Sequence, residues 1–403
     1  MTMLFILFVC LLLVICIQRF KVTTFYIVFV SLTTTVIGNY MISNDKIWIF
    51  NLIAGIILFI SYVTFKENNF VISRKSKTAN VNKTPDFINK PFIAIIIFFV
   101  IYHFAVGGIP ILKSNVEIER FNFTNSGLFG IPGRMVQYGI YFLVFYSAYF
   151  CYNKKGKKYF IISLGLFVIC KLLNGFKGSM YDIVVMIVYL FAFSKKDYNV
   201  KKFLNLKFIS LIIVSIGFAA LIFQQYGASK YYTNTSEYLI NRLTIIQAEA
   251  GNYMLKNMEK KNYFYNDFVY YIRKYLKINL DSSTGYNALE KTVSASKNGI
   301  SLTENNFVVP VTVGAFNEFW FNINSFMAMI FMLLIGAVYG SIEKKMKTGC
   351  MNPFRFACYG LLVYMINMYI SKGGLMYYVI NYFLMILLMK IFYTVGLLIR
   401  RKN

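Results

Sequence analysis

The chain is expected to fold as an all-α polytopic membrane protein with about 11 transmembrane helices. Three observations predict this. Hydrophobic residues fill 58% of the 403 positions and charged residues only 14%, a balance foreign to soluble domains. The apolar residues gather in runs near the ~20 residues a helix needs to cross a hydrocarbon core of about 30 Å. The runs lack the alternation of a membrane barrel, and a helix satisfies its own backbone hydrogen bonds in lipid.

The apolar runs lie at Met3–Ile17, Val22–Ile42, Ile47–Phe65, Pro91–Val106, Pro132–Tyr152, Tyr159–Leu173, Met180–Phe193, Lys207–Phe223, Ile323–Ser341, Phe354–Ile370 and Leu375–Gly396. The first has no basic leading region and no small-residue cleavage site, so it reads as a retained helix rather than a signal peptide. No repeat of fixed period is present. Three regions result: residues 1–225 carry helices one to eight, 226–310 form one long polar segment, and 311–403 carry the last three helices.

A formal charge of +26 raises the question of nucleic acid. The placement of the charge answers it, because Lys and Arg cluster in short blocks between apolar runs, as the positive-inside rule requires. The blocks are Arg19 and Lys21; Lys66, Arg74, Lys75, Lys77, Lys83 and Lys90; Lys154, Lys155, Lys157 and Lys158; Lys195, Lys196, Lys201, Lys202 and Lys207; Lys344, Lys345, Lys347 and Arg355; and Arg400, Arg401 and Lys402. All fall on one side of an 11-helix arrangement, which makes that side cytoplasmic and nucleic acid an unneeded partner. The Gly107–Arg134 loop, the Asn174–Ser179 turn, the Tyr226–Pro310 segment and the turn at Lys372 then face outward. Long segments translocate regardless of their charge. Of the 16 acids only Glu67, Asp86, Asp197 and Glu343 fall on the cytoplasmic side, so chemistry that uses a carboxylate is expected outside. The six cysteines avoid the long segment and form no CxxC or His/Cys cluster, so no disulfide framework, metal or cofactor is expected.

Several outward-facing residues are candidates for chemistry. Gly107-Gly108-Ile109-Pro110 makes a sharp exit from a helix, followed by Glu117, Glu119, Arg120 and later Arg134. This is a plain turn or a basic site beside the membrane. Lys171, Lys177 and Asp182 flank the Asn174–Ser179 turn. Lys171 either snorkels and pairs with Asp182, or joins Lys177 and the amides near Gly178 and Ser179 in holding an anion. In the long segment, Leu239–Met254 has helical spacing with Arg242 and Glu249 on one face. A second amphipathic run, Phe268–Ile278, carries Arg273 and suits an interfacial helix. The lone histidine, His103, gives poor support to a Ser-His-Asp site.

These residues resemble a known family. The Gly107-Gly108-Ile109-Pro110-Ile111-Leu112 loop followed by Arg120 resembles the first outer-loop signature of bacterial oligosaccharide repeat-unit polymerases, the O-antigen polymerase (Wzy) class. The Asn174–Ser179 turn is similar to their short basic turn, with Lys177 where arginine is more usual. The run Val309–Phe321, with Glu318 and Trp320, and the later Gly336–Gly340 resemble their entry into a late helix. Glu318 is displaced from the family's Gly-Glu pair, and the glycine that follows the aromatic is missing.

The resemblance implies a GT-C-like fold with a large helical periplasmic loop in the bacterial cell inner membrane. It implies a glycosyltransferase that moves a growing O-antigen or capsule glycan from undecaprenyl pyrophosphate onto an incoming lipid-linked repeat unit, with a chain-length regulator and a flippase as protein partners. A pyrophosphate leaving group needs cations placed where charge develops. Arg120, Lys177, Arg242 and Arg273 are the candidates for that role, with Arg134 and Lys171 binding substrate. Glu249 or Glu318 is the candidate base for the acceptor hydroxyl. The alternatives are an O-antigen ligase, whose family places a histidine in the large outer loop where this chain has none, and a lipid-linked oligosaccharide flippase or other transporter. The long segment is expected to form a lid at the membrane surface.

Overall fold

Apolar runs of this length favour helix wherever they meet lipid, and among the described residues the chain is all-helical with no strand. The computed structural model describes residues 23–42, 46–67, 88–113, 127–174, 179–194, 245–276, 288–299, 311–348 and 351–402. In chain order the helices are α1 (Phe25–Ile42), α2 (Ile47–Glu67), α3 (Lys90–Gly107), α4 (131–152), α5 (Lys157–Leu173), α6 (Ser179–Ala192), α7 (Ile245–Asn257), α8 (Tyr263–Leu276), α9 (Ala288–Asn298), α10 (Ala315–Asn322), α11 (Ser325–Thr348), α12 (Pro353–Lys372) and α13 (Leu375–Lys402). Helices cover nine of the 11 predicted stretches; Met3–Ile17 and Lys207–Phe223 lie outside the described residues. Five of the helices, α1, α2, α3, α11 and α13, are long and apolar enough to cross a membrane, as suits a membrane-embedded protein.

Helix α4 is the axis of the bundle. From Ile140 to Ala148 every side chain is buried, on all faces, as expected of a helix surrounded by others. Its first turns, Ile131–Arg134, pass into a π-helical turn over Met135–Gly139 before Ile140–Tyr152 continues as α-helix. Local signals set several helix starts. Asn89 and Asn352 accept hydrogen bonds from the amides of Phe92 and Arg355, each with a proline in the first turn. Helices α2 and α11 make the most extensive pairing. A Cβ on Gly336 would lie 2.5 Å from the Leu58 carbonyl oxygen, and one on Gly340 would overlap the Tyr62 carbonyl, so these two glycines let the backbones touch.

The helices of the long segment are attached to the bundle. Ala250 and Met254 of α7, Leu289 and Val293 of α9, and Val313 and Phe321 form a small second core. Tyr263 and Phe264 of α8 pack on Phe321 and Phe319. Two expected boundaries move: α8 starts at Tyr263 rather than Phe268, and a separate helix, α10, precedes the predicted span at Ile323. Asn322 and Asn324 make that break, donating to the Glu318 carbonyl and accepting from the Met327 amide respectively.

The bundle has a basic end and an acidic end. At the basic end the helix termini carry Lys154, Lys155, Lys157, Lys158, Lys344, Lys345, Lys347 and Arg355. There the fully buried Glu343 accepts from Thr24 at 2.6 Å, Tyr62 at 3.0 Å and Lys66 at 3.0 Å. The opposite end gathers Asp182, Asp267, Glu290 and Glu318 beside Lys171 and Lys372.

Candidate functional site

Helix α12 stops after Lys372 because Gly373 and Gly374 adopt φ of +82° and +80°, which side chains resist. Helix α13 starts immediately after, with first amides that have no partner inside the helix. Glu318 supplies one. Its carboxylate accepts from Gly374 N at 2.9 Å and from Leu375 N at 3.2 Å. The Val313 amide donates to the Lys372 carbonyl at 3.1 Å, so the segment leading into α10 is tied to the same turn.

A second carboxyl faces the first. Glu290, in the opening turn of α9, is only 3% exposed, and neither of its carboxyl oxygens has a hydrogen-bond partner on another described residue. The position a Cβ would take on Gly373 lies 3.2 Å from Glu290 Oε1 and 3.4 Å from Glu318 Oε2, so the two acids meet at this glycine. Asp267 of α8 holds Glu290 in place, because its Oδ1 accepts from the first amide of α9, Ala288 N, at 3.0 Å.

Burial and crowding raise the proton affinity of all three acids. Glu290 is held well above the usual carboxylate range by burial, then by the neighbouring Glu318 and Asp267 charges. Burial raises Glu318 as well, against the pull of its amide donors, which favour the charged form. Asp267 is pushed up to about 6 by burial, partly opposed by the Ala288 amide and Lys291. Carboxyls that retain a proton near neutral pH are the kind that function requires.

Cations stand at the same end. Lys171 donates to Asp182 at 2.7 Å, with side chains only 8% and 16% exposed, and its ammonium lies 4.6 Å from the Tyr141 ring centroid. The expected pairing of Lys171 with Asp182 is present, while Lys177, the other half of the anion-holding reading, lies outside the described residues. Lys372 is exposed and within electrostatic reach of both Lys171 and Asp182. Arg134 Nε donates to Asn381 Oδ1 at 3.4 Å, and Gln137 donates to Tyr377 at 2.9 Å, which brings the start of α4 to the first turns of α13.

The structure therefore brings Glu318, Lys171 and Arg134 to one end of the bundle. Glu249, on α7, is instead in a partly exposed ion pair with Lys297 at 2.6 Å. Arg273 lies on α8. Arg120, Lys177 and Arg242 lie outside the described residues. Sequence reasoning missed Glu290, Asp267 and Lys372 as site residues. For Glu290 a signal existed: it shares a helix face with Val293 and Ser294, both buried, which puts its carboxyl inside. For Asp267 the clue was weaker, a single acid among the aromatics of Tyr263–Leu276.

The class defined here is a helical membrane protein with a buried acid pair beneath a di-glycine turn. Among the described residues no group of three or more His, Cys, Asp and Glu is arranged to hold a metal. No protein-family model, curated protein or solved structure matches the chain.

Proposed function

We propose that the protein is a polysaccharide repeat-unit polymerase of the O-antigen polymerase type. It transfers a growing glycan from undecaprenyl pyrophosphate to the sugar hydroxyl of an incoming lipid-linked repeat unit, at the outer face of the bacterial inner membrane. The observation that carries this reading is the meeting, at one end of the bundle, of a buried carboxyl pair with two lysines. The transfer needs both kinds of group: a carboxylate to take the hydroxyl proton, and cations to receive the charge that develops on the pyrophosphate. The basic termini at the opposite end support an orientation in which the acid pair faces outward.

In the reaction, the acceptor oxygen bonds to the anomeric carbon of the donor glycan. The bond from that carbon to the pyrophosphate oxygen breaks, and its electron pair stays on the phosphate. Lys372 and Lys171 supply point charges for this oxygen, with Asp182 fixing Lys171 in place. Glu318 keeps its place as a base candidate, and Glu290 joins it as a partner.

Purified protein in liposomes, given an undecaprenyl-pyrophosphate-linked repeat unit, is expected to yield a ladder of longer glycans. Lys372→Met is expected to slow that reaction about 100-fold, the usual loss for one charge-stabilising group. Substrate consumed without any ladder, or no reaction with any such unit, contradicts the reading. The buried acids also favour a second reading, a proton-coupled transporter of the same lipid-linked glycan. A deletion strain separates the two: polymerase loss leaves cores with a single repeat unit, and flippase loss leaves bare cores.

A further inference from the structure

We infer that Glu290 and Glu318 hold one proton between them, in a proton-binding site beneath the Gly373–Gly374 turn, with Glu318 the ionised member and Glu290 the neutral one. The two carboxyls have opposite surroundings. Glu318 receives two amide hydrogen bonds at the start of α13, where the helix dipole also favours negative charge. Glu290 receives none from any other described residue at either oxygen and is almost wholly buried. An ionised carboxylate in that position would be desolvated with only its own backbone amide to offset it, so it takes up a proton instead.

The groups facing the pair reinforce the assignment. Asp267 approaches from α8, Tyr369 from α12 and Tyr378 from α13. Among the described residues, the charges that act on Glu290 are those of Glu318 and Asp267, both acids. Two like charges meeting at one glycine cannot both persist at neutral pH, as in other carboxyl dyads that share a proton. This differs from Glu343, which has Lys66 beside it and accepts three hydrogen bonds.

On the polymerase reading, the site gives the reaction a destination for its proton. The acceptor hydroxyl proton passes to Glu318, the pair becomes neutral for that interval, and one proton then leaves to water. This step rests on the proposed function, whereas the proton site itself does not.

Infrared spectroscopy of the purified full-length protein tests the site through the C=O band of a protonated carboxyl. A band is expected at pH 7 and is lost only as the solution becomes alkaline. Glu290→Gln is expected to remove the pH 7 band, and Glu343→Gln to leave it in place. Glu318→Gln is expected to keep a pH 7 band that disappears at a lower pH than in the natural protein, because Glu290 stays buried but loses its charged neighbour. Absence of any protonated carboxyl at pH 7 in the natural protein overturns the proposal, even if a variant fails to fold. So does a band that neither Glu290→Gln nor Glu318→Gln alters. Polymerisation measured on the same preparations keeps the two ideas apart. A titrating band without polymer removes the polymerase reading and leaves the site, and polymer without the band does the reverse.

Discussion

Two buried glutamates at opposite ends of the bundle have different surroundings. Glu343, at the basic end, is fully buried and fully matched by Lys66, Thr24 and Tyr62. Glu290, at the acidic end, is almost as buried, and its oxygens have no hydrogen-bond partner on another described residue and face another acid. The same side chain locks helices together in one place and stores a proton in the other. The partners within reach decide which, because a buried charge is tolerated only when paired.

The largest effect is expected where the matched glutamate is removed. Glu343→Ala leaves Thr24 and Tyr62 without their acceptor and Lys66 without its partner, at a cost of about 3 kcal/mol. Thermal unfolding of the purified protein is expected to show a clear fall in midpoint, with little change in its pH dependence. A midpoint equal to that of the natural protein removes the lock from the comparison.

Next comes the helix contact beside that lock. Gly340→Leu forces a side chain into the Tyr62 backbone and is expected to cost about 1–3 kcal/mol by overpacking. Gly165→Ala has open space at its Cβ and is the control, with a change within about 0.5 kcal/mol. Equal midpoints for the two variants contradict the close approach of α2 and α11.

The unmatched acids give a smaller effect with a distinctive sign. An acid whose proton affinity rises on folding stabilises the fold while both states are protonated, and that stability is lost as pH rises through the folded value. For Glu290, the protonated member, the window opens above the ordinary carboxylate value near 4.5 and runs into the alkaline range, and Glu318 acts in the same direction. The natural protein is therefore expected to lose stability between pH 5 and about pH 9. Glu290→Gln removes one of the two acids and is expected to melt about 2 °C or more above the natural protein at pH 9. At pH 5 the two are expected to be close. A variant less stable at pH 9 than the natural protein breaks the distinction between the two ends.

The smallest effect belongs to Glu249, whose partly exposed pairing with Lys297 is worth at most about 1 kcal/mol. Glu249→Gln is expected to leave both the unfolding midpoint and glycan length nearly unchanged. A collapse of polymer length restores it as a base.

Much of the fold was legible in the chain, because span length and positive-inside charge act through local composition. The stretches at Ile47–Phe65 and Pro91–Val106 lie within α2 and α3, with ends shifted by two residues or fewer. The site was legible in part. Glu318 stood beside an aromatic entry to a helix, and Lys171 sat four turns into an apolar run with Asp182 within reach. Glu290 was obscured because its meaning is tertiary. Its shared face with Val293 marks a buried side, but only the packing of α9 beneath Gly373 brings its carboxyl to Glu318, and no spacing in 288–298 announces a glycine 83 residues away. The same holds for Asp267, whose role depends on an amide 21 positions further along.

The most direct measurement is the surface-glycan ladder of a deletion strain carrying Glu290→Gln, compared at equal membrane abundance with the natural protein and with Glu249→Gln. Glu290→Gln is predicted to leave cores bearing a single repeat unit, while the other two give full ladders. A full ladder from Glu290→Gln contradicts the assignment of the acid pair to glycan polymerisation.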